Sequence, residues 1–197
     1  YAELLAPLVD LFPCVTFSNH DIVRPVTRWG GGQGDDALAK LALTILVALK
    51  GTVLMYQGEE LGLPEVDLDR QYIKDPVGDL YFPWVKGRDG CRTPMVWSEH
   101  DASAGFTEGH PWLPIPSEHR HLAADAQEHV QGSMLNHYRH LIAFRAQHPA
   151  LAKGDMVFLD SGDAVLSFTR SFGNETIYCA FNMTEDEQSI PLPEGVL

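Results

Sequence analysis

The sequence predicts an α/β fold followed by a small antiparallel β domain, and three observations carry that prediction. Two short apolar segments, residues 14–18 and 52–56, flank a stretch of helical periodicity. Each of these segments runs into a polar cluster, so strand, helix and strand follow one another with polar tips, the rhythm of a parallel α/β fold. After Lys153 and Gly154 the apolar period shortens to two, with Gly, Asp and Asn at the breaks, the pattern of strands joined by tight turns.

Along the chain, Leu4, Leu5, Leu8, Val9 and Phe12 have the spacing of the end of an amphipathic helix. Residues 14–18 read as a buried strand, with Asn19, His20 and Asp21 at its C-terminal tip. A glycine-rich loop then leads to Asp35 and Asp36, good N-terminal residues for a helix over 37–50 that Gly51 stops. Residues 52–56 read as a second buried strand, ending at Gln57, Gly58, Glu59 and Glu60. Residues 61–129 are rich in Pro and Gly and lack periodicity; so long a loop is usually functional, as a lid or a pocket wall. Residues 133–150 are helical, with Met134, Leu135, Tyr138, Leu141, Ile142 and Phe144 on the apolar face and Pro149 at the end. Strands follow near 156–159, 164–168 and 176–181, with turns at Gly162–Asp163 and Gly173–Asn174. A boundary falls near residue 153 and separates residues 1–153 from a β domain of 154–197, which is expected to be cut short at residues 190–197.

Composition narrows the function classes. The chain has 197 residues, 45% hydrophobic and 21% charged, which is ordinary for a globular protein and argues against disorder. Lys and Arg number 14 against 27 Asp and Glu, a formal net charge of −13 that repels phosphate backbones and anionic membranes. Nucleic acid and membrane are therefore poor partners, whereas a neutral sugar is indifferent to the charge. The three cysteines, Cys14, Cys91 and Cys179, have no metal-ligand or CxxC spacing. They fit a reducing, cytoplasmic compartment in which they act as small buried hydrophobes. The chain opens in mid-pattern without an initiator Met, as a fragment or processed product does.

Two motifs carry chemistry. Phe17-Ser-Asn-His-Asp21, with Arg24 beyond it, puts an imidazole, a carboxylate and a guanidinium at one strand tip. A carboxylate there can stabilise an oxocarbenium-like transition state and grip hydroxyls, while His and Arg donate to hydroxyl oxygens. The plainer alternative is a turn with a helix cap. The second motif is Gly87-Arg-Asp-Gly-Cys-Arg-Thr-Pro-Met-Val-Trp97, in which Arg88 and Arg92 can clamp a sugar or a carboxylate. Its plainer alternative is a loop held together by Arg–Asp pairs.

Taken in order, these segments resemble the α-amylase superfamily of glycoside hydrolases, in its α-glucosidase and oligo-1,6-glucosidase branch. The likeness rests on residues 17–24 with Arg28-Trp-Gly30, on Met55-Tyr-Gln-Gly-Glu-Glu-Leu-Gly62, on Asp75-Pro-Val-Gly78 and on residues 87–97. Ala104-Gly-Phe106, Pro111-Trp-Leu-Pro114 and Tyr138-Arg-His-Leu-Ile142 continue it. The resemblance implies the last part of a (β/α)8 TIM barrel, strands seven and eight with a long loop, followed by a C-terminal β domain.

It also implies roles. Asp21 matches the carboxylate that holds the 2- and 3-hydroxyls of the distorted sugar and stabilises the transition state, with His20 donating beside it and Asn19 contributing to binding. Arg88 matches the arginine that binds the terminal 4-hydroxyl, Arg92 a second loop arginine, and Arg24 a local charge partner. Glu59 and Glu60 are structural, because neighbours on a strand tip point to opposite faces and cannot flank one glycosidic bond. The family's nucleophile, its acid/base Glu and its divalent-cation loop would all lie upstream of Tyr1. No metal and no cofactor are therefore expected in this chain, and the chain alone should be inactive.

The implied activity is that of a retaining α-glucosidase releasing terminal α-linked glucose from small α-glucosides or oligosaccharides. The implied partners are that substrate and the upstream portion of the same enzyme. The rivals are a transglucosylase or sucrose isomerase on the same loops, and a non-catalytic amylase-like interaction protein. A carbohydrate-binding β module would explain residues 154–197 but not the α/β part.

Overall fold

The computed structural model describes residues 10–30 and 36–191. The helix expected over residues 1–12 falls mostly outside them, as do residues 31–35 of the glycine-rich loop. In chain order the elements are β1 (Cys14–Val15), α1 (Pro25–Trp29), α2 (Asp36–Ala48), β2 (Thr52–Val53), α3 (Pro76–Tyr81), α4 (Ser117–Arg120), α5 (Ala124–Glu128), α6 (Met134–Gln147), α7 (Pro149–Lys153), β3 (Asp155–Leu159), β4 (Val165–Phe172) and β5 (Glu175–Asn182). Short 3-10 turns lie at Glu59–Leu61, Arg70–Tyr72 and Asp89–Arg92. The described residues fall into two compact units, one of 10–15, 44–54 and 141–191, the other of 16–30, 36–43 and 55–140.

In the first unit β1 and β2 pair in parallel, Cys14 opposite Thr52 and Val15 opposite Val53, as the strand–helix–strand pattern predicts. Their lengths and burial differ from expectation. Each ladder strand is two residues long rather than five. Cys14 and Thr52 are exposed, and so is Leu54. Among the described residues each of these strands has only the other as a ladder neighbour, so the pair ends in open edges on both sides rather than sitting inside a wide sheet. Cys14 is thus not the buried hydrophobe the sequence suggests, while Cys91 and Cys179 are buried.

The period-two segment folds as expected. β4 is the central strand, antiparallel to both β3 and β5, with Phe168 opposite Phe158 on one side and Cys179 on the other. Gly173 takes φ +60 in the two-residue turn between Phe172 and Glu175, a backbone angle that glycine adopts without steric cost. Phe168 is fully buried, with the rings of Phe158 and Phe181 each 5.8 Å away.

Two arginines bind backbone carbonyls at the ends of α2 and α7 and in the turn after α2. Arg170, fully buried on β4, donates to the carbonyls of Ala48, Leu151 (2.8 Å) and Gly154 (3.0 Å). Arg145, on α6, donates to the carbonyls of Val47, Leu49 (3.1 Å) and Gly51 (2.7 Å). The last carbonyls of a helix lack intrahelical donors, and a cation suits that end of the helix dipole. Burial lowers the pKa of Arg170 to about 10, which still leaves it charged at neutral pH. Pro149 ends α6 as expected, but Ile142 and Phe144 are exposed rather than buried, Phe144 lying against the His148 ring at 4.2 Å.

The second unit gathers the long irregular stretch around a core of Leu61, Leu63, Met95, Val96, Ala104, Ala123 and Leu135. Gln127 ties this core together: its amide donates to the carbonyls of Leu61 (3.0 Å) and Leu122 (2.7 Å), and its Oε1 accepts from the Leu135 amide (3.0 Å). Every polar atom of that buried side chain is satisfied, so the loop is fixed where periodicity offered no signal. Among the described residues no helix is long and apolar enough to cross a membrane.

Candidate active site

The site is built from three short segments of the second unit. The first is the turn Asn19–Asp21. The side-chain oxygen of Asn19 accepts the Asp21 amide at 2.8 Å, an Asx turn that sets the direction of the Asp21 side chain. α1 follows, with Pro25 at its first position, where the missing N–H costs nothing. From α1 Arg28 reaches back to the carbonyl of Phe17 at 2.6 Å, and the ring of Trp29 meets that of Phe17 edge-on at 5.2 Å. The helix therefore latches the turn in place.

The second segment is residues 87–92. The 3-10 turn at Asp89–Arg92 places Arg88 and Arg92 at its two ends, and both guanidiniums converge on one carboxylate. Arg88 Nη1 donates to Asp21 Oδ1 at 3.0 Å, and Arg92 Nη2 donates to the same oxygen at 2.9 Å. Arg92 Nε also donates to the carbonyl of His20 at 2.7 Å, and His20 Nε2 stands 3.4 Å from Asp21 Oδ2. Desolvation pulls the Asp21 pKa upward, but the Arg88 hydrogen bond, the His20 charge and the Arg92 hydrogen bond outweigh it and leave the group more acidic than usual. Asp21 is about half exposed, and its Oδ2 carries neither arginine.

The third segment is the start of α3. Asp75 caps that helix, accepting the Val77 amide at 3.2 Å, and Pro76 follows at the first position. The same buried carboxylate accepts the Arg88 amide at 2.8 Å, Nε at 2.7 Å and Nη2 at 3.1 Å. These bonds from Arg88 hold Asp75 far below the usual carboxylate range and raise the pKa of Arg88. Gly87 permits the approach: at φ +75, a Cβ there would sit 2.9 Å from the Gly78 backbone and 3.0 Å from Asp75. Asp89, itself buried, accepts the amides of Lys74 and Asp75 and so fixes the segment that carries Asp75.

The structure brings the expected residues Asp21, His20, Arg88 and Arg92 to one point, while the Asn19 side chain shapes the turn. Asp75 stands in the sequence only as part of the Asp75-Pro-Val-Gly78 motif, with no role of its own. The available signal is Asp followed by Pro, which marks a helix cap but not the arginine it holds. Arg88 pairs with Asp75 and Asp21 rather than with its neighbour Asp89, so the plain reading of the loop is partly realised with other partners.

Glu59 and Glu60 lie in a 3-10 turn and not on a strand tip, so they are not the strand neighbours expected from the sequence. Glu59 accepts the Ser18 hydroxyl, and burial raises its pKa; Glu60 accepts the Gly58 amide at 2.7 Å. Arg24 is fully buried, with Nη1 on the Gln57 carbonyl at 2.7 Å and its amide on Glu65 at 3.1 Å. Gly58 faces it so closely that a Cβ would meet Nη1 at 2.4 Å. Arg92 also lines an open cavity of about 290 Å3, together with Gln57, Glu60, Trp97, Phe106 and Trp112. Among the described residues no group of three His, Cys, Asp or Glu side chains is placed to hold a metal ion.

Comparison with known proteins decides the family. The α-amylase catalytic-domain model matches residues 9–154. The chain belongs to the α-amylase family. A probable alpha-glucosidase from Rhizobium meliloti (strain 1021) is 49% identical over 181 residues, 91% of this chain and 33% of that protein. An oligo-1,6-glucosidase from Parageobacillus thermoglucosidasius is 30% identical over 200 residues, 91% of this chain and 35% of its own. Among solved structures, the alpha-glucosyl transfer enzyme XgtA matches with a TM-score of 0.90 at 41% identity, over 99% of this chain and 38% of its own. The trehalulose synthase MutB from Pseudomonas mesoacidophila MX-45 matches at 0.79 and 29%, over 93% of this chain and 36% of its own. The chain therefore spans about a third of the length of these relatives, and its fold is consistent with part of the barrel of α-amylase-family enzymes.

Proposed function

We propose that this chain is the C-terminal part of a retaining α-glucosidase that removes terminal α-linked glucose from small α-glucosides. The observation that carries the reading is the Asp21 carboxylate, gripped at Oδ1 by Arg88 and Arg92 with His20 beside Oδ2. A fixed, ionised carboxylate opposes the positive charge that develops on an oxocarbenium-like transition state. Oδ2 remains to accept sugar hydroxyls. The charges of Asp21 and Asp75 balance those of Arg88 and Arg92, which suits a neutral ligand.

Under this reading β1 and β2 are the seventh and eighth strands of a (β/α)8 barrel, residues 1–153 belong to the catalytic portion and 154–197 to a C-terminal β domain. The nucleophile and the general acid lie in the upstream portion of the enzyme, so the chain by itself is inactive. The exposed residues on β1 and β2 support this, because strands of a closed barrel are covered on both faces. The three free cysteines support a cytoplasmic location.

A second reading, a transglucosylase or sucrose isomerase, is favoured by the solved relatives XgtA and MutB, whose names describe glucosyl transfer and trehalulose synthesis. The test is to give the full-length protein an aryl α-glucoside and, separately, sucrose, and to follow the first products by NMR. Free glucose appearing first as the α-anomer supports the retaining hydrolase. New disaccharides as the main products favour the second reading. No turnover of either substrate contradicts both and revives the non-catalytic interaction protein.

A further inference from the structure

We propose that Asp75 is the positioning residue of the sugar site, fixing the Arg88 guanidinium so that the pocket selects a neutral hydroxyl over an anion; the inference rests on the glucosidase reading of that site. The Asp75 side chain is completely buried, and both of its oxygens are occupied. Oδ2 takes the Arg88 amide and Nε, while Oδ1 takes Nη2 and the cap bond from Val77. The guanidinium is thus held along one whole edge in a bidentate fork, which fixes its plane as a single point contact does not.

A guanidinium has five N–H donors. Nε and one hydrogen of Nη2 go to Asp75, and one hydrogen of Nη1 goes to Asp21. One donor on each terminal nitrogen remains for a ligand. A bare, half-exposed arginine attracts carboxylates and phosphates, but here Asp75 and Asp21 offset Arg88 and Arg92. The free donors therefore face the ligand from a cluster without net charge, which fits a sugar hydroxyl and gives a phosphorylated sugar no advantage.

Asp75→Asn in the full-length protein tests this. Asn keeps a helix cap at this position but removes one negative charge and turns an amide donor toward Arg88. The expected result is a KM for an aryl α-glucoside at least tenfold higher, with kcat within about threefold of wild type. Inorganic phosphate should become a competitive inhibitor at concentrations wild type ignores. The same substitution should add little to Arg88→Ala, since both act through one guanidinium. Arg88→Lys, which Asp75 can pair with but not orient, should show the same rise in KM and covers the case in which Asp75→Asn fails to fold. An unchanged KM in Arg88→Lys, or in Asp75→Asn equal losses in kcat and kcat/KM with no sensitivity to phosphate, overturns the proposal. If wild type hydrolyses no α-glucoside the glucosidase reading fails instead; calorimetric titration of phosphate into wild type and Asp75→Asn then decides the role of Asp75, equal affinities overturning it.

Discussion

Two pairs of arginines in this chain do opposite work, and the difference lies in what they touch. Arg145 and Arg170 donate to backbone carbonyls at the ends of α2 and α7 and in the turn after α2, with Arg170 fully buried. Arg88 and Arg92 are partly open to solvent and converge on the carboxylate of Asp21. Carbonyl acceptors are fixed by the fold, so the first pair can only hold the backbone. A half-exposed carboxylate is a reactive partner, so the second pair can tune and present it. The residue type is the same; the acceptor and the exposure decide whether it stabilises or serves a ligand.

Substitution separates the two roles. Arg170→Met in the full-length protein removes the donor for three buried carbonyls and is expected to lower stability by about 4 kcal/mol. The urea midpoint checks this, with kcat/KM per folded molecule unchanged. A catalytic loss without a shift of the midpoint would erase the distinction between the pairs.

A smaller effect comes from His119, a buried group of the second unit that takes no part in the site. Its Nε2 lies 3.0 Å from the carbonyl of Pro64, and Nδ1 has no hydrogen-bond partner. Burial first, then the nearby Arg24 charge, lowers its pKa from 6.5 to about 4. The unfolded chain therefore binds a proton between pH 6.5 and 4 that the folded chain refuses, and stability falls as pH drops through that window. The full loss is roughly 3 kcal/mol. In His119→Gln that component should vanish, so the difference between the two stability–pH curves is the measurement. Parallel curves would mean that His119 titrates normally.

The smallest of the three is a matter of discrimination. On the proposed reading Arg88→Ala would leave a terminal hydroxyl without its partner, and the preference for a glucoside over its 4-deoxy analogue should fall by about 30-fold, or 2 kcal/mol. An unchanged ratio would place Arg88 with Arg145 and Arg170, as a structural group.

The site residues were legible through the resemblance of ordered motifs, since the local pattern alone fits a plain turn and an Arg–Asp loop equally well. Asn19, His20 and Asp21 are consecutive, Arg88 and Arg92 are one turn apart, and the strand–helix–strand rhythm needs only periodicity. The hairpins of β3, β4 and β5 are announced by Gly162, Gly173 and Asn174. The bond between Asp75 and Arg88 spans 13 residues with no period to reveal it. Arg170 meets Ala48 across 122 residues, and nothing in sequence distinguishes it from a surface arginine. The strands were expected to be longer and buried because Val15, Val53 and Leu54 are apolar. Burial, however, depends on the rest of the sheet, and among the described residues β1 and β2 have only each other as ladder partners.

The central claim is that the Asp21 carboxylate, held by Arg88 and Arg92, stabilises the transition state of glucoside cleavage. Asp21→Asn in the full-length protein tests it most directly, because the amide keeps the size of the side chain and loses the charge. The account predicts that kcat/KM falls by at least about several hundredfold, some 3–4 kcal/mol, with the urea midpoint nearly unchanged. Near-normal turnover by the folded variant would contradict it.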